Sequence, residues 1–373
     1  MTGNPAEPRQ YWAGDLAVTV TAEDQGQVAD YLSRYLAGPV GTHDLPRYLI
    51  SLHTGHEELD RATTRTAGLP VTLLEPVPGV TLAASTGADG SRLFAVAGDR
   101  LENAPGTWAA SVSGDQVDLY VADPARGPRH VLRIIRELML RAYEDAGAVV
   151  LHAAGVEADG GTVMICGPRG AGKTTAAAAL LHQFGPRARL LSNDRLLACD
   201  GGQVVAVPLP VPVARGTLGA FPALGAAVPA ARRARPGEPD PAGLPREFGT
   251  AGKIAFPARD FAAAFGAGLA ASSQVAAIVI PSLTDTAEPP VARHVSPAEA
   301  QAALSGCCFT PADEFWRPWL VTRALPDADL AARAGRRCRQ LAASVPCVTV
   351  SSGVRGPLDG FAEALAAAAR AAR

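Results

Sequence analysis

The chain has 373 residues, 48% hydrophobic and 19% charged, with a formal net charge of −2. That length suggests about two domains with sizeable cores. The balanced charge excludes a global basic field for nucleic acid or an anionic membrane, so neither is expected as a partner.

Residues 1–128 read as a small strand-rich domain. The runs 16–20, 47–51, 71–74, 93–96 and 116–121 are strand-like and separated by Gly, Asp and Pro, and 27–36 is expected to be a helix. The first twelve residues lack a basic segment followed by an apolar core, so no secretory leader is expected. His43, His53 and His56 lie close together, and His53 with His56 is the one candidate metal pair. No carboxylate or cysteine pattern supports it, so ordinary loop histidines are expected.

Residues 130–146 predict an amphipathic helix. Val131, Ile134, Ile135, Leu138, Met139 and Tyr143 recur at three and four residues, and Gly147 ends the helix. Its expected role is to cover the sheet of a second domain, 129–373. A strand then starts at Val149-Val150-Leu151-His152. A turn at Asp159-Gly160-Gly161 predicts a hairpin that lays this strand beside 161–166. His152 would then approach a bound phosphate, although spacing leaves open a packed, hydrogen-bonded core histidine.

Gly167-Pro168-Arg169-Gly170-Ala171-Gly172-Lys173-Thr174 fits G-x-x-x-x-G-K-[ST], the phosphate-binding P-loop. A β-branched apolar run precedes it, and strong helix formers from Thr175 follow. Only two of the 34 basic residues are lysines, so a chance match is rare. Backbone N–H groups from Gly167 to Thr175, Arg169 and Ala171 among them, would cradle the phosphates at a helix N-terminus. Lys173 would reach the β- and γ-phosphates, and the Thr174 hydroxyl would ligate Mg²⁺. Beyond the helix, residues 188–194 form an apolar run ending in Asn193 and Asp194. Asp194 is the candidate acid on a second, Mg²⁺-facing strand.

Residues 208–250 are rich in Pro, Ala and Gly and predict a long loop. Arg215 lies within it. Lys253, the second lysine, follows it; both are candidate contacts to a second phosphate or to substrate. Residues 261–283 carry no charge, but their Gly, Ser272-Ser273-Gln274 and Pro281 predict helix, turn and strand rather than a membrane span. A buried strand is expected over 275–280, helices over 298–304 and 328–341, a strand over 345–350 and a last helix over 358–373. The aromatic patch 309–319 reads as core packing, with a substrate wall as the other option. Cys166, Cys199, Cys307, Cys308, Cys338 and Cys347 form no C-x-x-C pair and no metal-ligand spacing, so reduced thiols in a cytoplasmic chain are expected. Strands alternating with helices make the fold α/β.

The order LHAAGVEADGGTVMICGPRGAGKTT followed by LLSND resembles the HPr kinase-like proteins, relatives of phosphoenolpyruvate carboxykinase, over about residues 130–215. The resemblance implies a P-loop domain with a mixed sheet and helices. It places a histidine on a strand before the P-loop, here His152, and an acidic pair after a later strand, here Asn193-Asp194. That pair is Asp-Asp in the family; Asn193 cannot act as a base. The family's E-x-R-G signature survives only as Arg215-Gly216. The implied activity is ATP- and Mg²⁺-dependent transfer of the γ-phosphoryl group to a hydroxyl of a Ser/Thr peptide, a protein or a small metabolite. His152, Lys173, Asn193 and Asp194 would form the catalytic set, with the N-terminal domain selecting substrate. The alternative is a nucleotide-sensing P-loop module without catalysis, which Asn193 favours. GTPases are excluded, since no N-K-x-D occurs, and motor or transporter ATPase signatures are missing. The sequence sets no oligomeric state.

Overall fold

The computed structural model describes residues 7–65, 68–99, 106–250, 252–356 and 358–371, and in it the chain is mixed α/β. The reading of the N-terminus as leaderless falls partly on residues 1–6, outside the described residues. The chain divides into two compact units, Met1–Ala146 with Pro311–Pro326, and Gly147–Thr310 with Asp327–Arg373.

The first unit contains β1 (Arg9–Ala13), β2 (Leu16–Ala22), α1 (Gln25–Ser33), β3 (Arg47–Thr54), α2 (His56–Thr64), β4 (Thr72–Val77), β5 (Val80–Thr86), β6 (Arg92–Asp99), β7 (Trp108–Ser113), β8 (Gln116–Val121) and α3 (Gly127–Asp145). Its eight strands form one sheet in the order β1-β2-β3-β8-β7-β6-β5-β4. β3 runs parallel to β2 and β8, and the other pairs are antiparallel. The five expected strands are present; β1, β5 and β7 are additions. α2 was not expected either. It begins at His56 with Glu57 and Glu58 in its first turn, where negative charge suits the helix dipole. His53 is 3.2 Å from Asp118 and stacks on Tyr120. Among the described residues no His, Cys, Asp and Glu group is arranged to hold a metal.

The expected domain boundary at 128/129 is corrected. The apolar stripe of α3 packs against β1, β2, β3, β8 and α1, so the helix belongs to the first unit. Residues 311–326 join it there. Trp316 Nε1 donates to Glu137 Oε2 at 2.6 Å, and the Trp319 N–H to Glu137 Oε1 at 3.0 Å. Arg323 Nε is 3.0 Å from Glu144 Oε2, which also meets Arg141 NH1 at 2.5 Å. Trp316 and Trp319 are buried, as the core-packing option predicts.

The second unit contains β9 (Val149–Leu151), β10 (Ala153–Ala158), β11 (Gly161–Cys166), α4 (Lys173–Phe184), β12 (Ala188–Ser192), β13 (Leu196–Ala198), β14 (Gln203–Ala206), β15 (Val211–Ala214), α5 (Arg215–Ala220), α6 (Pro222–Ala234), β16 (Lys253–Phe256), α7 (Ala258–Ala263), β17 (Gly268–Leu269), β18 (Ser272–Thr284), β19 (Val291–His294), α8 (Pro297–Gly306), α9 (Asp327–Ser344), β20 (Cys347–Gly353) and α10 (Asp359–Ala371). The main sheet runs β17-β12-β10-β11-β18-β14-β13-β9, with β20 also paired to β18 and β19 to β20. β18 is its spine. Its start pairs antiparallel with β14, its middle parallel with β11 and its end parallel with β20. α4 packs on β10, β11, β12 and α10, and Ala176–Leu181 are fully buried. The alanines give a thin helix that approaches the sheet closely.

Two expectations about this unit fail. The strand Val149–Leu151 does not lie beside 162–166; it pairs with β13, and the hairpin partner of β11 is β10. His152 is where the chain leaves one partner for the other. Residues 208–250 are not a long loop, since they hold β15, α5 and α6. Pro222 occupies the first turn of α6, where its missing N–H costs nothing, and the alanines favour helix. No helix among the described residues is long and apolar enough to cross a membrane.

Candidate functional site

β10 runs antiparallel to both β11 and β12, with Ala153 opposite Cys166 and Gly155 opposite Ser192. The residue before β10 and the residues after β11 and β12 therefore emerge at the same end of these strands. That end gathers His152, the Gly167–Thr174 loop, Asn193 and Asp194. Of the expected residues, these are brought together.

The loop curls as the motif requires. Gly170 and Gly172 sit at φ +87° and +99°, which favours glycine. Gly172 is the N-cap of α4, so the positive end of the helix faces the loop. The Leu283 N–H donates to Ala171 O at 3.4 Å, fastening the loop to β18. Lys173 is buried, and its Nζ donates to Gly167 O at 2.7 Å and Pro168 O at 3.2 Å. Desolvation lowers its pKa, with Asp194 opposing.

Thr174 Oγ1 accepts from Asn193 Nδ2 at 3.1 Å. Asn193 is buried, and its Oδ1 has no partner among the described residues. Asp194 Oδ1 lies 3.2 Å from His152 Nε2, and Oδ2 lies 2.9 Å from Arg195 NH1. Burial pushes the Asp194 carboxyl up, but the His152 bond and the Arg195 charge outweigh it and hold the carboxyl below its ordinary value. The His152 ring stacks on Phe309, and the Arg195 guanidinium lies over the same ring. Thr175 Oγ1 meets Thr217 Oγ1 at 2.9 Å, joining α4 to α5.

The two outlying candidates separate. Arg215 NH1 donates to Ala242 O and Leu244 O at 3.1 and 3.0 Å, so that nitrogen is committed to holding 241–244. Lys253 is exposed on β16 yet close enough to the loop to feel its charges. Desolvation, then Arg169, lowers its pKa, and Asp194 opposes. Neither the Arg169 nor the Lys253 side chain makes a hydrogen bond or ion pair among the described residues. Two neighbouring cations that repel each other and hold no acid in an ion pair suit a polyanion.

Sequence reasoning missed Arg195, Thr217 and Cys307, whose thiol burial pushes up while the Gly167 amide and the Lys173 charge oppose. Only Arg195 carried a signal, its adjacency to Asp194. The six cysteines are all free thiols. Compared with known proteins, the chain matches no family model and no curated protein.

Proposed function

We propose that the second unit is an ATP-dependent phosphotransferase of the HPr kinase-like kind, passing the γ-phosphoryl group to a hydroxyl. The observation that carries this reading is the β11–loop–α4 geometry with Lys173 at the helix start and His152–Asp194 beside it. The loop N–H groups and the helix end would bind the phosphates. Lys173 would turn from its own loop carbonyls onto the β/γ oxygens, and Arg169 with Lys253 would add charge where the transferring group builds it.

The donor set fits Mg²⁺: the Thr174 hydroxyl, the unpartnered Asn193 Oδ1 and the Asp194 carboxylate are all oxygens. When bound, the ion would supply charge neutralisation to the phosphates. Asn193 holds the Thr174 side chain in place. With Asn193 unable to take a proton, His152 oriented by Asp194 is the group that accepts the acceptor's hydroxyl proton. A cytoplasmic location, with ATP at hand and thiols kept reduced, belongs to this reading.

A second reading is a nucleotide-sensing module without turnover. It is favoured by both Asp194 oxygens being engaged, one by His152 and one by Arg195. One experiment separates the two. The full chain is given Mg-ATP with pools of Ser/Thr peptides and hydroxylated metabolites, and ADP release and a mass gain of about 80 Da, the added HPO₃, are followed. Acceptor-dependent ADP release is expected. Lys173→Ala should weaken ATP binding by about tenfold or more, as a charge-assisted phosphate contact is lost. Binding and turnover unchanged in that variant would sink the P-loop assignment, and binding without turnover for every acceptor would favour the sensor.

A further inference from the structure

His152 sits where the chain passes from β9 to β10, so no regular strand fixes its ring. Four residues of the second unit supply what the strand does not. Residues 307–310 run antiparallel along 149–152. The His152 N–H donates to Cys307 O at 2.6 Å, the Phe309 N–H to Val150 O at 2.9 Å, and the Val150 N–H to Thr310 Oγ1 at 2.9 Å. Leu151 and Cys308 bridge between them.

This register lays the Phe309 ring flat on the imidazole, with centroids 4.9 Å apart and planes 18° from parallel. The Arg195 guanidinium carbon is 4.8 Å from the centre of the same Phe309 ring. Arg195 also meets Asp194, and Asp194 meets His152. Four side chains thus close a ring, three polar and one aromatic. Phe309 touches both of Asp194's partners and offers no polar atom to compete for the carboxylate.

We propose that Phe309 is the positioning residue of the His152–Asp194 pair: its ring sets the plane in which Nε2 meets the carboxylate, and it seats Arg195 on the other carboxylate oxygen. The consequence for turnover rests on the kinase reading above; the stack does not. A histidine has two side-chain torsions, and a polar contact at one nitrogen leaves rotation about that contact. A flat apolar face removes the rotation and keeps water off one side of the pair, where the bond is then stronger. Misplacing a reacting group by about 1 Å costs on the order of a hundredfold in rate.

The test uses the full chain and Mg-ATP as the probe. His152 ring-proton resonances are assigned by their loss in His152→Gln and followed in Phe309→Leu and Phe309→Trp, with ATP affinity and ADP release measured alongside. In the wild type the ring current of Phe309 displaces these resonances. Phe309→Leu should return them toward free imidazole and lower ADP release about ten- to hundredfold, with ATP affinity within about twofold because the P-loop is untouched. Phe309→Trp should displace them further and keep most of the turnover. This variant carries the test alone if Phe309→Leu does not fold.

Resonances unmoved by either substitution, turnover unchanged in Phe309→Leu, or Phe309→Trp as slow as Phe309→Leu would overturn the proposal. A wild type that binds ATP and releases no ADP would defeat the kinase reading instead. The ring-proton arm then decides by itself, with displacement lost in Phe309→Leu upholding the positioning role and displacement kept overturning it.

Discussion

Asp194 is the residue on which the site's charges converge. Its lowered pKa makes a definite statement about stability. A carboxylate with a depressed folded-state pKa contributes stability that is present above its unfolded value, about 4, and is lost as pH falls through the folded value. Asp194→Asn should therefore melt below the wild type at neutral pH, with the gap closing as pH drops below about 4. Thermal melts across that range check it; a gap that stays constant down to about pH 2 would show that the contacts with His152 and Arg195 contribute nothing. At this scale the sequence was partly legible. Lys173 and Thr174 follow from a motif whose spacing is itself chemistry, and His152 was grouped with Asp194 only through the family resemblance. Arg195 was not anticipated, because its one mark, adjacency to Asp194, is faint in a chain so rich in arginine. The bond from Asn193 to Thr174 was not either, because it spans two elements.

The loop–helix element makes a prediction that separates two glycines. Gly172 combines φ +99° with a crowded Cβ position, 2.5 Å from Leu283 Cδ1 and 2.7 Å from its Cγ, whereas Gly170 has φ +87° and open space. Gly170→Ala carries the backbone cost alone, about 1–2 kcal/mol. Gly172→Ala adds displacement of Leu283, on the order of another 1–3 kcal/mol. Calorimetry should show both variants melting lower, Gly172→Ala by clearly more; equal melting temperatures would mean that Leu283 yields freely. The β11–α4 pair was readable because its apolar run and its helix formers each favour the state they adopt. The division of β9 from β10 was not, since the strand partners β13 and β11 and the Cys307 carbonyl that takes the His152 N–H between them all lie further along the chain. α6 was hidden by composition: Pro222 and Pro229 suggest a breaker, but one stands in the first turn and the alanines around both sustain the helix.

The whole molecule reads least well in the sequence, because one piece of the first unit, 311–326, comes late in the chain. Periodicity showed the helix α3 correctly and its destination wrongly, since an apolar stripe does not name the sheet it covers. Glu137 is fully buried, and burial pushes its carboxyl up while Arg141 and the bonds from Trp319 and Trp316 oppose this. A fragment of residues 1–146 would leave that carboxylate without its indole and amide donors, at a cost of about 1–3 kcal/mol for each unsatisfied buried group. A fragment of 147–373 would carry Trp316, Trp319 and Arg323 with nothing to cover them. Both fragments should be poorly soluble or melt broadly, and adding a 311–326 peptide to the first should sharpen its melt by circular dichroism. A sharp, peptide-independent melt of 1–146 would show that the late segment is dispensable. The same arrangement sets a schedule for synthesis. The ribosome delivers α3 early, with Glu137 and Glu144 facing a place still empty, and then makes most of the second unit before Trp316 and Arg323 emerge. The first unit, begun first, thus waits for most of the second to be made before it can close, and its exposed helix face is the surface a chaperone would have reason to hold.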